Sequence, residues 1–216
     1  MIEPTELLIR MPVVLLALTV HEFSHAYVAY RMGDPTALRA GRCTLNPLAH
    51  LDLIGTICIM FGPIGWAKPV PVNPYNFRRP LRDEMIVSAA GPVSNVIQAV
   101  AFALLLRMLV QQDLFGGTLG REARVILVTM AYVGVLVNCG LAVFNMLPVF
   151  PLDGFHVVRF FLGPANRRSL DQTAPYGNYV ILALVLLPFL TRGRISPLSA
   201  VIRYPVQVVL TYVAGL

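Results

Sequence analysis

Long apolar runs separated by short polar stretches dominate this chain. Six such runs can be delimited, at residues 11–30, 51–66, 85–110, 123–148, 177–191 and 195–216. A helix needs about 20 apolar residues to cross a bilayer, so the first, third and fourth runs are predicted membrane spans. The run 177–191 is short, and 195–216 contains Arg203 and Pro205, so both are weaker candidates. The pattern predicts an all-α, multi-span membrane protein built as a helical bundle.

Two stretches depart from the spanning pattern. Segment 51–66 is apolar but short and contains Gly55, Gly62 and Gly65, which favours a re-entrant segment that enters and leaves by one face. Irregular backbone at that depth needs protein or water around it. Residues 68–74 alternate proline with β-branched residues, which excludes helix and suits extended chain. We therefore expect a short extended or β segment near 67–76.

Composition supports lipid as the surrounding medium. The chain has 216 residues, 56% hydrophobic and 13% charged, whereas soluble domains average about 25% charged residues. The net charge of +6 could suggest nucleic acid, but the basic residues are scattered between apolar runs, so no nucleic-acid partner is expected. The three cysteines lack metal-binding or disulfide spacing. One membrane domain, 1–216, is expected, with its core at about 10–160 and C-terminal apolar helices at 177–216.

The basic residues predict an orientation in the membrane. Loops 31–50, 66–84 and 155–175 contain ten basic residues, and the opposite loops, 1–10 and 107–124, contain four. The positive-inside rule places the first set in the cytoplasm. We therefore expect an integral membrane protein in which any site near the first set of loops faces the cytoplasm.

The first predicted span contains a candidate metal site, His21-Glu22-Phe23-Ser24-His25. Residues i and i+4 share one face of a helix, so two imidazoles can bind one Zn²⁺ there, and Glu22 can take a proton from the water on the metal. Ionisable groups inside a membrane are costly, which favours function over chance. A polar cluster buried between helices without metal is the alternative.

A catalytic zinc normally has a third protein ligand and one open position. Asp52 and Asp153 are the carboxylates deepest in apolar context. Asp153 follows an apolar helix that should reach the same membrane face as His25, whereas Asp52 could instead cap the segment after it. The residues alone leave both open, and the donor set favours zinc without excluding another divalent ion.

Three sequence motifs occur one after another along the chain. They are the H-E-x-x-H, Gly91-Pro92-Val93-Ser94-Asn95, and the Asn-x-x-Pro…Leu-Asp-Gly from Asn145 to Gly154. Together they resemble the site-2 protease family of intramembrane zinc metalloproteases. Residues 46–50 and 66–70 further resemble its small bacterial and archaeal branch. The similarity covers roughly residues 10–160.

The resemblance implies a function and a set of roles. Zinc, one per chain, would be bound by His21, His25 and Asp153, with Glu22 as the general base acting on zinc-bound water. The enzyme would hydrolyse peptide bonds in or near transmembrane segments of membrane-protein substrates. Asn145 would hydrogen-bond the substrate carbonyl or the oxyanion, unless it only caps its helix.

Other candidate residues carry less defined roles. Asn95 is a candidate for substrate binding, although Gly91 and Asn95 could equally be structural. Our own hypothesis is that the extended segment 69–73, through Val70 and Val72, pairs with an unwound substrate. His156 could orient Asp153 or simply be solvated, and His50 is assigned no role. The arginines Arg159, Arg167 and Arg168 are expected to be interfacial anchors.

Two other classes of function remain open from sequence. A metal transporter is also built from His and Asp on apolar helices, but it would not need Glu22 beside His21. An inactive protease-like binding module is possible, although the intact Glu22 argues against it. We expect no PDZ or nucleotide-binding domain, so substrate gating is expected to come from the membrane core or from a separate partner, either a homo-oligomer or a regulatory membrane protein. The substrate itself cannot be named.

Overall fold

The computed structural model describes residues 4–52, 55, 67–111 and 120–216. Eight α-helices are found in these residues: α1 Pro4–Met32, α2 Thr36–Arg39, α3 Pro80–Gln111, α4 Arg121–Asn145, α5 Asp153–Phe161, α6 Pro164–Asp171, α7 Gly177–Leu190 and α8 Pro197–Val208. A π-helix, Val209–Ala214, continues α8, and three 3₁₀ turns lie at Pro47–Ala49, Pro74–Asn76 and Ala174–Tyr176. Within the described residues there is no β-strand, which confirms the all-α prediction.

Among the described residues, four stretches are long and apolar enough to cross a membrane: Leu7–Met32, Pro80–Gln111, Arg121–Asn145 and Pro164–Leu190. The first three correspond to the strongest predicted spans. The fourth begins earlier than the predicted 177, because it combines α6, a 3₁₀ turn and α7. Helix α7 alone has 14 residues, or about 21 Å, which is shorter than the roughly 30 Å hydrocarbon core. The multi-span membrane architecture is confirmed.

Local chemistry shifts two helix ends from the predicted positions. Helix α3 begins at Pro80 rather than at 85, because proline suits the first helical position and Asp83 Oδ2 accepts a 2.9 Å hydrogen bond from Arg79 N–H. Helix α4 ends at Asn145 rather than at 148. Pro148 explains this early end, since a proline disfavours helical backbone at the residue before it.

Small residues pack the helices together. The main core cluster joins α3, α4 and the C-terminal π-helix and consists of Ala99, Ala103, Leu106, Leu109, Ala131, Val135, Cys139 and Ala214. Alanine at such contacts lets helix backbones approach closely, as in other membrane proteins. Gln111 Nε2 also donates to the carbonyl of Gly215, at 2.8 Å. The segment 195–216, whose position the sequence left open, therefore packs against α3 and α4.

The turn after α1 anchors the extended segment that follows. Gly33, with φ +108°, ends the helix, and the buried Asp34 carboxylate accepts from Asn73 N–H and Asn76 Nδ2, both at 2.7 Å. Burial raises the pKa of Asp34, but hydrogen bonds from Thr36, Asn73 and Asn76 outweigh it and hold that pKa below its usual value. The Asp34 carboxylate is therefore charged, and its hydrogen bonds hold the C-terminal end of the extended segment 68–73 against the turn after α1.

Residues 68–73 are extended, as predicted, and they lie outside any strand. The only β-type pairing among the described residues is an isolated antiparallel bridge between Leu51 and Ala67. The 3₁₀ turn Pro74–Asn76 then leads toward α3. The predicted re-entrant segment 51–66 lies almost wholly outside the described residues.

Candidate metal centre

Two imidazoles on α1 meet a carboxylate from α5. His21 and His25 are one helical turn apart, and their Nε2 atoms lie 3.0 Å from each other. Each Nε2 lies 3.4 Å from one oxygen of Asp153. His21 and His25 are 5% and 8% exposed, and both belong to the first membrane-spanning stretch. These three residues form the one group of metal-ligating side chains found in the described part of the chain.

The loop between α4 and α5 brings Asp153 to the histidines. Asp153 is the first residue of α5, where a carboxylate complements the helix dipole. Gly154 follows, and a Cβ there would meet Met146 O at 2.2 Å, so only glycine allows α5 to start this close to the end of α4. Burial raises the pKa of Asp153, but its contacts with His21 and His25 bring that pKa down to about 2. The carboxylate is therefore ionised at neutral pH, as a metal ligand must be.

The outer ring nitrogens determine which nitrogen faces the centre. His25 Nδ1 lies 2.8 Å from the carbonyl oxygen of Val87, and His21 Nδ1 lies 2.6 Å from Asn95 Oδ1. Both partners are acceptors, so each Nδ1 carries a hydrogen, and in the neutral imidazole, the form that binds a metal, each Nε2 presents a lone pair. Two lone pairs and a carboxylate thus face one another, and buried Asp153 Oδ2 has no hydrogen-bond partner within the described residues.

This donor set fits a zinc ion. Tetrahedral zinc with bonds of about 2.0–2.1 Å separates its ligand atoms by roughly 3.3 Å, close to the observed 3.0 and 3.4 Å. A cation between the three groups would also remove the repulsion among their lone pairs. Three protein ligands leave one tetrahedral position open, as in catalytic rather than structural zinc sites.

A cavity of about 470 Å³ opens onto these groups. Glu22 lines it, and its Oε2 accepts a 3.2 Å hydrogen bond from Val70 N–H. Val70 and Val72, the predicted substrate-contacting residues, also line this cavity. Asn145, the last residue of α4, also lines the cavity, and its Nδ2 donates to Leu141 O at 3.0 Å. The acid–base candidate Glu22, the amide donor Asn145 and the extended segment therefore all line the cavity that opens onto the metal-ligating groups.

The Gly-Pro-x-x-Asn motif lies behind the histidines. A Cβ at Gly91 would approach His25 Nε2 at 2.3 Å and His21 Nε2 at 2.7 Å, so this glycine makes room for both rings. Asn95 is 0% exposed and does not line the cavity. Its Oδ1 contacts His21 rather than the space where a substrate would bind.

The remaining candidates lie around the site without contacting its centre. His156 Nδ1 lies 3.2 Å from Glu84 Oε1, and Arg159 bridges Glu84, at 3.5 Å, and Asp171, at 2.8 Å. His50 Nε2 lies 2.8 Å from Thr44 O. Asp52 Oδ1 accepts from Gly55 N–H at 2.8 Å, the capping role considered for it.

Sequence reasoning assigned no role to Asp34 or Glu84, and it considered Asn138 only as a residue that could line a water path to the metal. Asp34, Glu84 and Asn138 make buried or partly buried contacts that organise the site and its surroundings. The Gly-Asp pair after an apolar helix was a usable signal for Asp34, because glycine commonly follows a helix end. No local pattern distinguishes Asn138 from any other single polar residue in an apolar span.

Comparison with known proteins agrees with this site. The model of peptidase family M50 matches residues 11–188. "Putative zinc metalloprotease YwhC" of Bacillus subtilis is 40% identical over 194 residues, 86% of this chain and 87% of its own. "Putative zinc metalloprotease Rip2" is 31% identical over 183 residues in Mycolicibacterium smegmatis and 28% over 184 in Mycobacterium tuberculosis strain H37Rv; each match covers 82% of this chain and 66% of the relative. No solved structure matches.

The matched region contains all three motifs, so the resemblance seen in the sequence is confirmed. Membership also favours the enzyme over the transporter alternative, since the family and its relatives are named for proteolysis. The chain belongs to peptidase family M50, the site-2 protease family, and is a zinc metalloprotease with membrane-spanning helices.

Proposed function

We propose that this protease hydrolyses peptide bonds in or near transmembrane segments of other membrane proteins, at a zinc ion bound by His21, His25 and Asp153. The observation that carries the proposal is the convergence of these three groups, within 3.4 Å of one another, beside a cavity and with both histidines on a membrane-spanning helix. A site at this depth serves substrates that enter from the membrane.

The chain supplies acid–base chemistry through Glu22. Zinc in such a site polarises a carbonyl and makes water more acidic. The Glu22 carboxylate then takes the proton of the attacking water and returns it to the leaving nitrogen as the C–N bond breaks. The hydrogen bond from Val70 N–H holds the carboxylate on the cavity wall. Asn145 has a second N–H beyond its bond to Leu141 O, and we assign it to the oxyanion.

The experiment that tests this function uses purified protein in detergent with a model single-span membrane protein. We expect about one zinc per chain, cleavage within or beside the apolar segment, loss of cleavage on chelation, and recovery when zinc is restored. A matched substrate with its apolar segment replaced by a polar sequence serves as the control. Equal cleavage of both substrates would contradict the proposed substrate class, and absence of zinc would contradict the metal assignment.

The extended segment 69–73 has few backbone N–H groups that could pair with a substrate. Pro69 and Pro71 lack N–H groups, and those of Val70 and Asn73 donate to Glu22 and Asp34. Val72 is then the residue of 69–73 whose N–H has no partner within the described part of the chain. Together with the carbonyls of the segment, it offers one donor for a substrate backbone.

Val72→Pro is expected to lower cleavage about three- to tenfold, the value of one backbone hydrogen bond, mainly through a higher KM. Zinc content should not change. Val72 also packs against Ala29, Phe77 and Val87, so Val72→Ala, which keeps the N–H but loses this packing, is the control. Equal losses in both variants would show that side-chain packing, rather than backbone pairing, is responsible.

We further propose that the site lies near the cytoplasmic face of a bacterial inner membrane. His25 lies seven residues, about 10 Å, before the end of α1, and Asp153 follows the end of α4. These ends adjoin the loops with ten basic residues. A single cysteine introduced at Arg78 should be protected from a membrane-impermeant thiol reagent in intact cells, whereas one at Arg121 should react. Reaction of the cysteine at position 78 would show that these loops face away from the cytoplasm, opposite to the proposed orientation.

A further inference from the structure

A chain of buried side-chain amides runs from His21 across three helices. His21 Nδ1 lies 2.6 Å from Asn95 Oδ1 on α3, and Asn95 Nδ2 donates to Asn138 Oδ1 on α4 at 2.8 Å. Asn138 Nδ2 donates in turn to the backbone carbonyl of Gly134 at 2.9 Å. Both asparagines are 0% exposed and lie inside membrane-spanning helices. We refer to Asn95, Asn138 and the Gly134 carbonyl as the amide relay.

The amide relay has only one consistent direction. A backbone carbonyl can only accept, so the NH₂ of Asn138 must face Gly134 and its Oδ1 must face Asn95. The NH₂ of Asn95 then faces Asn138, and it also lies 3.4 Å from the carbonyl oxygen of Ala17. This leaves Asn95 Oδ1 toward His21, which requires the hydrogen on Nδ1. In neutral His21 the lone pair then lies on Nε2, which is 3.4 Å from Asp153 Oδ2.

The two histidines differ in which group holds the hydrogen on Nδ1. His25 Nδ1 meets a backbone carbonyl, that of Val87, which can only accept. His21 meets a side-chain amide, which could present either its oxygen or its nitrogen unless something else orients it. Asn138 supplies that orientation through the shorter bond, 2.8 Å, and the Ala17 carbonyl, at 3.4 Å, favours the same orientation. Buried amides in an apolar span are costly unless every group is paired, and the relay pairs them while serving the metal centre.

We propose that Asn138 and Asn95 are positioning residues that hold His21 in the Nδ1–H tautomer, with its Nε2 aimed at the metal. This inference rests on the proposed metal site. It assigns a role to Asn138, which lies on α4, whereas the proposed ligands lie on α1 and α5. Asn138 does not line the cavity. Partners of metal-bound histidines typically change metal affinity by 10–100-fold when removed.

The test compares Asn138→Leu with the wild type by two measurements. The first is ¹⁵N NMR of histidine-labelled, metal-free protein in detergent, which reports the tautomer of each of the four histidines. The second is zinc affinity by competition with a chelator. We expect Asn138→Leu to populate the Nε2–H tautomer of His21 and to bind zinc about 10–100-fold more weakly. Asn95→Leu removes the acceptor itself and should give the same two changes.

Val135→Ala is the matched control. Val135 is buried on the same helix, three residues before Asn138, and belongs to the main core cluster. Its truncation should loosen helix packing and lower thermal stability while leaving the His21 tautomer and zinc affinity within twofold of wild type. If Val135→Ala weakened zinc as much as Asn138→Leu, packing rather than the relay would be responsible, and the proposal would be overturned.

The two asparagine variants give a second decisive outcome. If both retained the Nδ1–H tautomer of His21 with wild-type zinc affinity, the relay would have no positioning role. The tautomer is read in metal-free protein, so it tests the relay even where the proposed function fails. If the wild type bound no zinc, the metal site would be overturned. If Asn138→Leu nevertheless lost the His21 Nδ1–H signal that the wild type shows, the relay would still be supported.

Discussion

Replacing Glu22 by glutamine is expected to lower peptide hydrolysis by about 10²–10⁴-fold while zinc content stays at the wild-type level. Glutamine has nearly the same shape, and its side-chain oxygen can still accept the hydrogen bond from Val70 N–H. The amide cannot take a proton from the attacking water, so only the chemical step should suffer. His21, His25 and Asp153 are untouched, which is why metal binding should persist.

The measurement is kcat on a model membrane substrate, with zinc content determined on the same preparations. Glu122→Gln is the control, because Glu122 is an exposed carboxylate in the first turn of α4 and lies outside the cavity lining. It should cleave at the wild-type rate. If Glu22→Gln retained more than about a tenth of wild-type activity, another group would have to act as the base. Loss of zinc from Glu22→Gln would instead place Glu22 among the ligands.

The helical part of the site was predictable from sequence because its geometry is local. The i, i+4 spacing of His21 and His25 brings their Nε2 atoms together on one face of α1, wherever that helix packs. The apolar runs likewise predicted the main spans, and the proline-rich stretch predicted extended chain. These features depend on neighbours within a few residues, so the pattern contains enough information to identify them.

The third ligand was a harder problem, since it depends on contacts between distant segments. Asp52 and Asp153 both lie in apolar context, and their own sequence neighbourhoods did not separate them. In the structure, Gly154 allows α5 to begin against the backbone of Met146, which brings Asp153 to the histidines. Asp52 instead accepts from Gly55 N–H. Only the resemblance to a known family selected between them beforehand.

Asn95 shows what a motif leaves undetermined. The Gly-Pro-x-x-Asn sequence marked residues 91 and 95 as notable, but it could not say which neighbour they face. The packing of α3 on α1 and α4 decides this, by placing Asn95 between His21 and Asn138. We accordingly place Asn95 behind the metal site rather than in contact with substrate. Its role stays a prediction until the histidine tautomers are measured.

Gly91→Ala is expected to weaken zinc binding about 10–100-fold and to lower cleavage by about 100-fold or more. The added Cβ would lie 2.3 Å from His25 Nε2 and 2.6 Å from His21 Cε1, far inside van der Waals contact. The rings cannot turn away freely, because their Nδ1 atoms are held by Val87 O and Asn95 Oδ1. Relieving the clash must therefore move Nε2 atoms that would bind the metal.

Gly140→Ala provides the matched control for this substitution. Gly140 also lies within a membrane-spanning helix, and a Cβ there would meet only Ile202 Cδ1, at 4.0 Å, an ordinary contact. Both substitutions gain up to about 1 kcal/mol of helix propensity, so this backbone effect is the same in the two variants. Zinc affinity measured by chelator competition should fall for Gly91→Ala and stay unchanged for Gly140→Ala. Wild-type affinity in Gly91→Ala would mean that the rings can move without leaving the metal, and the close packing of α3 against the histidines would then have no part in building the site.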